Sequence, residues 1–171
     1  MKRLPETVLM RRGRSVVTGC LVLVLIHAAA GEDGDALTGQ WVTKDEKARV
    51  EITRHGDVYE GVIVWLKEPD FPAEDEEAGK PKRDRENPDP ALRSRPIIGL
   101  RILQGFTYAG DNTWTGGSVY DPENGKTYRG KLRLEKGDRL ILRGYVAVTL
   151  FGRTEIWTRY KPPAEEAETS Q

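Results

Sequence analysis

Apolar and polar residues alternate along most of the chain beyond residue 38. Val58, Glu60, Val62 and Val64 interleave with Tyr59, Gly61, Ile63 and Trp65, the period of two that a β-strand imposes. Leu132 and Leu134 are answered by Leu140 and Leu142 across Glu135-Lys136-Gly137-Asp138, a hairpin spacing. No long window repeats apolar residues at helical spacing. The pattern predicts strands at 38–43, 48–54, 57–66, 97–103, 105–109, 113–120, 126–135, 139–150 and 153–160. Tight turns join many of them, at His55-Gly56-Asp57, Gly110-Asp111-Asn112 and Phe151-Gly152-Arg153. Asp121-Pro122-Glu123-Asn124-Gly125 also reads as a turn, because Pro presets φ and Asn-Gly supplies the positive φ of hairpins. Its glycine stands fifth, where a calcium-binding EF-hand loop requires it sixth.

Short strands in meander order build either a sandwich or an up-and-down barrel. Gly61, Gly116, Gly117, Gly130 and Gly144 fall inside strand patterns. Glycine weakens a strand, so its repeated use there points to bending and close approach, the means by which a small sheet closes. The expected fold is therefore an all-β, antiparallel up-and-down β-barrel. A barrel of about eight strands either fills its interior or holds one small ligand. One segment interrupts the alternation. Residues 67–95 carry five prolines and blocks of charge, Glu74-Asp75-Glu76-Glu77 and Lys80-Pro81-Lys82-Arg83-Asp84-Arg85. A loop of that length is either functional or disordered. Its first half reads as solvated. In its second half Asp89 can cap, and Pro90 open, a short helical turn through Ala91-Leu92-Arg93, placed to lie over one barrel end.

The N-terminus changes the expected location. Lys2, Arg3, Arg11, Arg12 and Arg14 precede an apolar run over 16–26, and His27-Ala28-Ala29-Ala30 follows. This is the layout of a secretory signal peptide cleaved near Ala30, and the run is shorter than the roughly 20 residues of a membrane span. Val17-Thr18-Gly19-Cys20 precedes the apolar run instead of following it, against a lipoprotein box. Arg14 and Ser15 argue against a twin-arginine signal, and Met10 is an alternative start. A periplasmic or secreted protein is expected, with no stable membrane span after cleavage.

Removal of 1–30 takes away five Lys/Arg and one Glu, leaving 22 basic and 26 acidic residues, a net charge of −4. A mildly acidic chain without a basic face is a poor nucleic-acid binder. The only cysteine, Cys20, leaves with the signal, so no disulfide holds the exported domain. The remaining 141 residues suffice for a core, since a domain of this size buries about two-thirds of its chain surface. Residues 162–171 read as a disordered tail.

Candidate chemistry is sparse. His55 lies in a turn, and one histidine without cysteine makes no zinc site. Ser94 and Ser118 sit in no nucleophile elbow, and no glycine loop cradles phosphate. Neither metal nor cofactor is expected. The aromatic residues are more informative. Trp41, Trp65, Trp114, Trp157, Tyr59, Tyr120, Tyr128 and Tyr145 all fall on predicted strands, where they either pack the barrel or face a cavity suited to an apolar ligand with one polar end.

Gly39-Gln40-Trp41 opens the first strand and Trp157-Thr158-Arg159 lies on the last. This resembles the signature of lipocalins and related calycin barrels, and the resemblance implies that Trp41 closes one barrel end beneath Arg159. A longer series is Asp84-Arg85-Glu86-Asn87-Pro88-Asp89-Pro90-Ala91-Leu92-Arg93-Ser94-Arg95-Pro96, Trp114-Thr115-Gly116-Gly117-Ser118-Val119-Tyr120-Asp121-Pro122, Arg143-Gly144-Tyr145 and Gly152-Arg153-Thr154-Glu155-Ile156-Trp157-Thr158-Arg159. It resembles the exported bacterial family catalogued as domain of unknown function 2147, which implies a lipocalin-like barrel outside the cytoplasm and brings no established reaction. The chain lacks the Thr-Asp-Tyr motif of classical lipocalins and carries an enlarged acidic insert around 68–83.

The first functional reading is a barrel binding a small, partly apolar molecule. The 84–95 segment forms its lid, Asn87, Asp89 and Arg95 are its polar groups, and Trp65, Tyr120, Tyr128 and Tyr145 line its interior. The second is an envelope interaction protein with a filled barrel, whose partner meets the charged insert and an exposed Trp114. The third is an enzyme using Asp89, Asp121 and Lys126, which nothing beyond residue type supports.

Overall fold

The structure, a computed structural model, describes residues 34–136, 138–146 and 152–163. The expected signal segment 1–30, Gly137, residues 147–151 and the part of the expected tail from 164 lie outside the described residues. Among the described residues nine strands form a single antiparallel sheet: β1 Gly39–Val42, β2 Ala48–His55, β3 Val58–Leu66, β4 Arg101–Tyr108, β5 Thr113–Thr115, β6 Ser118–Asp121, β7 Lys126–Glu135, β8 Arg139–Tyr145 and β9 Gly152–Arg159. The order is β3-β2-β1-β9-β8-β7-β5-β4-β6, and additional β3–β4 and β7–β6 pairings close it. Strands β5 and β6 both lie between β4 and β7, so they share one stave and the barrel has eight. Among the described residues no helix is long and apolar enough to cross a membrane.

Two departures from simple alternation have local causes. The predicted strands 97–103 and 105–109 are one strand, β4, with Gly105 at φ +76°. The extra residue there lets Leu103 and Phe106 both point inward, at 1% and 0% exposure, as a bulge does. Residues 97–100 lie outside the strand, although Gly99 N–H and Leu100 C=O still bond to Ile63. The predicted strand 113–120 divides at Gly116-Gly117, because the Phe106 ring fills the space where a Gly117 Cβ would stand. The same ring covers Gly130 on β7.

The core runs along the inward rows of every stave. Trp41 faces Val50, Tyr59 faces Phe106, Trp114 faces Leu132, and Leu140 faces Trp157; all eight are at most 2% exposed. Trp114 is therefore a core residue. Its ring lies 6.0 Å from Tyr59 and 5.2 Å from Tyr108, which removes the exposed aromatic from the partner-surface reading.

The end of the barrel crossed by residues 36–38 is shut. Trp41 donates its indole N–H to the Leu37 carbonyl at 2.8 Å. The Arg159 guanidinium lies 4.2 Å from the ring centroid and donates to the carbonyls of Thr38 at 2.9 Å and Ala36 at 2.5 Å. Gly39, at φ +109°, passes directly beneath it. The closure expected of Gly39, Trp41 and Arg159 is thus formed.

The long segment is folded on itself. Isolated bridges pair Asp70 with Pro81 and Arg83 with Pro96. Phe71 is buried under the Arg85 guanidinium at 4.4 Å. Arg85 pairs with Asp75 at 2.7 Å, and Arg83 pairs with Glu77. The acidic block expected to be solvated is instead partly spent on these ion pairs. The predicted turn forms at Pro90–Leu92, where the Asp89 carboxylate accepts from Ala91 N–H at 3.0 Å.

Candidate functional site

The polar centre of the molecule is a carboxylate that the sequence did not single out. Asp84 is fully buried. Its Oδ1 accepts the Tyr120 hydroxyl at 2.5 Å, and its Oδ2 accepts from Asn87 Nδ2 and an Arg95 terminal nitrogen, each at 2.8 Å. Asn87 Nδ2 also donates to the Tyr120 oxygen at 3.1 Å, and Asp84 N–H donates to the Arg95 carbonyl. A buried charge is stable only when so paired. The sequence signal for Asp84 was a lone acid amid Lys82, Arg83 and Arg85, in a segment that otherwise reads as solvated.

Strand alternation decides which side of the barrel wall this cluster occupies. Gly130 faces the core, and a Cβ there would meet Phe106 and Val119. Val119 therefore points inward, and its neighbour Tyr120 points outward. The Asp84 cluster lies on the outer face of the wall, which corrects the expectation that Tyr120 lines the interior and places Asn87 and Arg95, expected in a lid, against that outer face. The segment is tied to the β6–β7 turn by close approach: a Cβ on Gly125, at φ +68°, would stand 1.9 Å from the Glu86 carbonyl oxygen.

Burial, with the Asp84 carboxylate beside it, pushes the Tyr120 phenol up to about 12. An unfolded tyrosine titrates near about 10, so the folded state holds this proton more tightly. The resulting stabilisation is complete below about pH 10 and is lost as the pH rises towards about 12. Urea unfolding midpoints measured across this window are expected to fall in the wild type and to fall less in Tyr120→Phe.

The other sequence candidates separate. Trp65 does not line the interior. Arg49 pairs with Trp65 but Val50 pairs with Ile63, so Val64 is an extra residue. That bulge reverses the alternation, turning Leu66 inward and Trp65 outward to stack on Arg49 at 4.9 Å. Tyr145 lies opposite Arg129 on the outward row, one step from the inward Gly144. Asp89 is spent on its turn. Asp121 caps its own hairpin, accepting from Glu123 N–H at 2.9 Å and Asn124 Nδ2 at 2.7 Å. Tyr128 does lie on the inward row with Gly130 and Leu132, and its hydroxyl accepts from Asn124 Nδ2 at 3.2 Å.

Tyr128 stands at the end of the barrel opposite Trp41. There the inward row of β9 is Arg153, Glu155 and Trp157, paired with Gly144, Leu142 and Leu140 of β8. Trp157 is buried, yet residues 152–156 are exposed on both faces of the strand. The inner wall thus meets solvent at this end, above a buried floor. Glu155 reaches down to accept the Trp157 indole N–H at 3.1 Å. At the rim, Lys47 of the β1–β2 connection pairs with Glu123 of the β6–β7 turn at 3.1 Å. Among the described residues a notional Cβ on Gly144 meets Tyr128 carbon atoms, the nearest at 3.5 Å, so Gly144 lies beside Tyr128 on the inner wall.

Comparison with known proteins agrees with this architecture. The model of the family described as "Uncharacterized protein conserved in bacteria (DUF2147)" matches residues 39–159. The structure of protein HP1028 from the human pathogen Helicobacter pylori, described as belonging to the lipocalin family, superposes with a TM-score of 0.63 at 24% identity, covering 78% of this chain and 87% of that one. No curated protein matches the chain.

Proposed function

The chain belongs to the bacterial DUF2147 family, and from that premise and its lipocalin-like barrel we propose that it is an exported carrier of a small, partly apolar molecule, held in the open end of the barrel. One observation carries the reading: the inward row of β9 is solvent-exposed at Arg153 and Glu155 but buried at Trp157. The ligand's apolar body rests against Val119, Leu142 and the Tyr128 ring, and its polar end meets Arg153 and Glu155. Such a division between apolar walls and a few polar groups is the usual composition of a small-molecule site. The barrel binds without catalysing a reaction. The basic N-terminal segment and the apolar run at 16–26 deliver it to the periplasm or beyond.

The test uses N-phenyl-1-naphthylamine, an apolar fluorescent probe, with energy transfer from the tryptophans as readout. The wild type is expected to take it up saturably. Gly144→Leu adds an alkyl side chain on the inward row against the Tyr128 carbon atoms, and is expected to weaken uptake at least about tenfold in a protein whose melting curve shows that it is still folded. Equal uptake by the folded variant, or none by the wild type, contradicts the reading.

A further inference from the structure

Two clefts on the outer wall, of about 260 Å³ and 470 Å³, share Arg95, Arg101 and Gln104 and so form one groove beside β4. The first is bounded by Asn87, Ser118 and Tyr120. The second is bounded by Val62, Pro96 and Ile98. This groove is separated from the cup by the barrel wall, since Tyr120 and Gln104 lie on the outer face while their neighbours Val119 and Leu103 pack the interior.

The two arginines are fixed but not saturated. Arg95 uses one terminal nitrogen on Asp84, a carboxylate that is itself fully buried and held by Tyr120 and Asn87. Arg101 uses Nε on Glu60 at 3.2 Å. Among the described residues neither guanidinium has another hydrogen bond or ion pair, so the other nitrogens of Arg95 and both terminal nitrogens of Arg101 remain to donate. A guanidinium offers five donors in a rigid planar fork that matches an oxyanion, and anchoring it beforehand lowers the ordering cost of binding. Ile98, 44% exposed, and Pro96 supply an adjoining apolar strip. Cationic forks where the clefts join, with exposed aliphatic surface beside them in the second cleft, are complementary to one chemistry.

We propose that this groove is a second binding site, for a free amphipathic anion whose carboxylate or phosphate bridges Arg95 and Arg101 and whose short apolar body lies along Pro96 and Ile98. It is independent of the cup, and the two sites are tested separately.

The experiment titrates the full chain with decanoate and with 1-decanol, below their micelle or solubility limits, by calorimetry and by NMR shifts of Arg95, Arg101 and Ile98. Decanoate is expected to bind at least about tenfold more tightly than decanol, with shifts confined to the groove. Arg101→Gln, which removes only a surface ion pair, is expected to weaken decanoate by at least about tenfold and leave naphthylamine uptake intact. Gly144→Leu is expected to leave decanoate binding unchanged. Equal affinity for acid and alcohol, indifference to Arg101→Gln, or loss of decanoate in Gly144→Leu overturns the proposal. So does binding to phosphatidylglycerol vesicles without uptake of free decanoate, which would assign the groove to a membrane surface.

Discussion

Trp41→Ala is expected to lower the unfolding free energy by about 3–5 kcal/mol, the range for removing a fully buried tryptophan, read as a reduced urea midpoint with little change in slope. The ring is 0% exposed and plugs the barrel end against Val50. Two further contacts go with it. The Leu37 carbonyl loses its indole donor, one of the ties that hold the 36–38 segment across the end, and the Arg159 guanidinium loses the ring beneath it at 4.2 Å. The cation–π contact accounts for about 0.5–2 kcal/mol, so cavity formation is the larger part. Trp41→Phe, which keeps a ring, is expected to cost clearly less. Equal losses for the two substitutions would place the importance of Trp41 in its N–H.

Asp84→Ala is expected to cost about 3 kcal/mol, by a different route. The substitution takes the acceptor from the half-buried Tyr120 hydroxyl and leaves the Asn87 amide only the Tyr120 oxygen, at about 1–3 kcal/mol for a buried donor left unmet. Arg95 adds less, because its side chain is 42% exposed and rehydrates. The cost is thus spread over a network, and a double-mutant cycle of Asp84→Ala with Tyr120→Phe is the decisive measurement. The pair is expected to be strongly non-additive, the second substitution costing little once the first is made. Additive losses would mean that Tyr120 is held by packing alone. Decanoate affinity is expected to fall alongside, since Arg95 loses the anchor that orients it.

Much of the barrel was legible in the chain because a period of two is a strong signal wherever one face is buried. The β7–β8 hairpin shows this, with Leu132 and Leu134 opposite Leu142 and Leu140. The Trp41–Arg159 closure was expected from the resemblance of Gly39-Gln40-Trp41 and Trp157-Thr158-Arg159 to the lipocalin signature. Alternation fails where a residue is inserted. Val64 turns Trp65 outward and Gly105 realigns Phe106 with Leu103, and neither bulge has a composition that separates it from an ordinary strand position. The Asp84 cluster was hidden for another reason. Its partners come from a proline-rich segment and from β6, 36 positions away at Tyr120, and only the folded chain brings them together. Asn87 and Arg95 were therefore expected in a lid with Asp89, and Tyr120 apart from them on the interior, whereas Asp84 joins all three on the outer wall.

The central claim is that the open end of the barrel carries a ligand in the living cell. Native mass spectrometry of the processed protein, released gently from its own host, tests it most directly. The account predicts a reproducible added mass that departs on denaturation and is absent from Gly144→Leu prepared in the same way. A clean apo mass, unchanged after exposure to a lipid and metabolite extract, would contradict it.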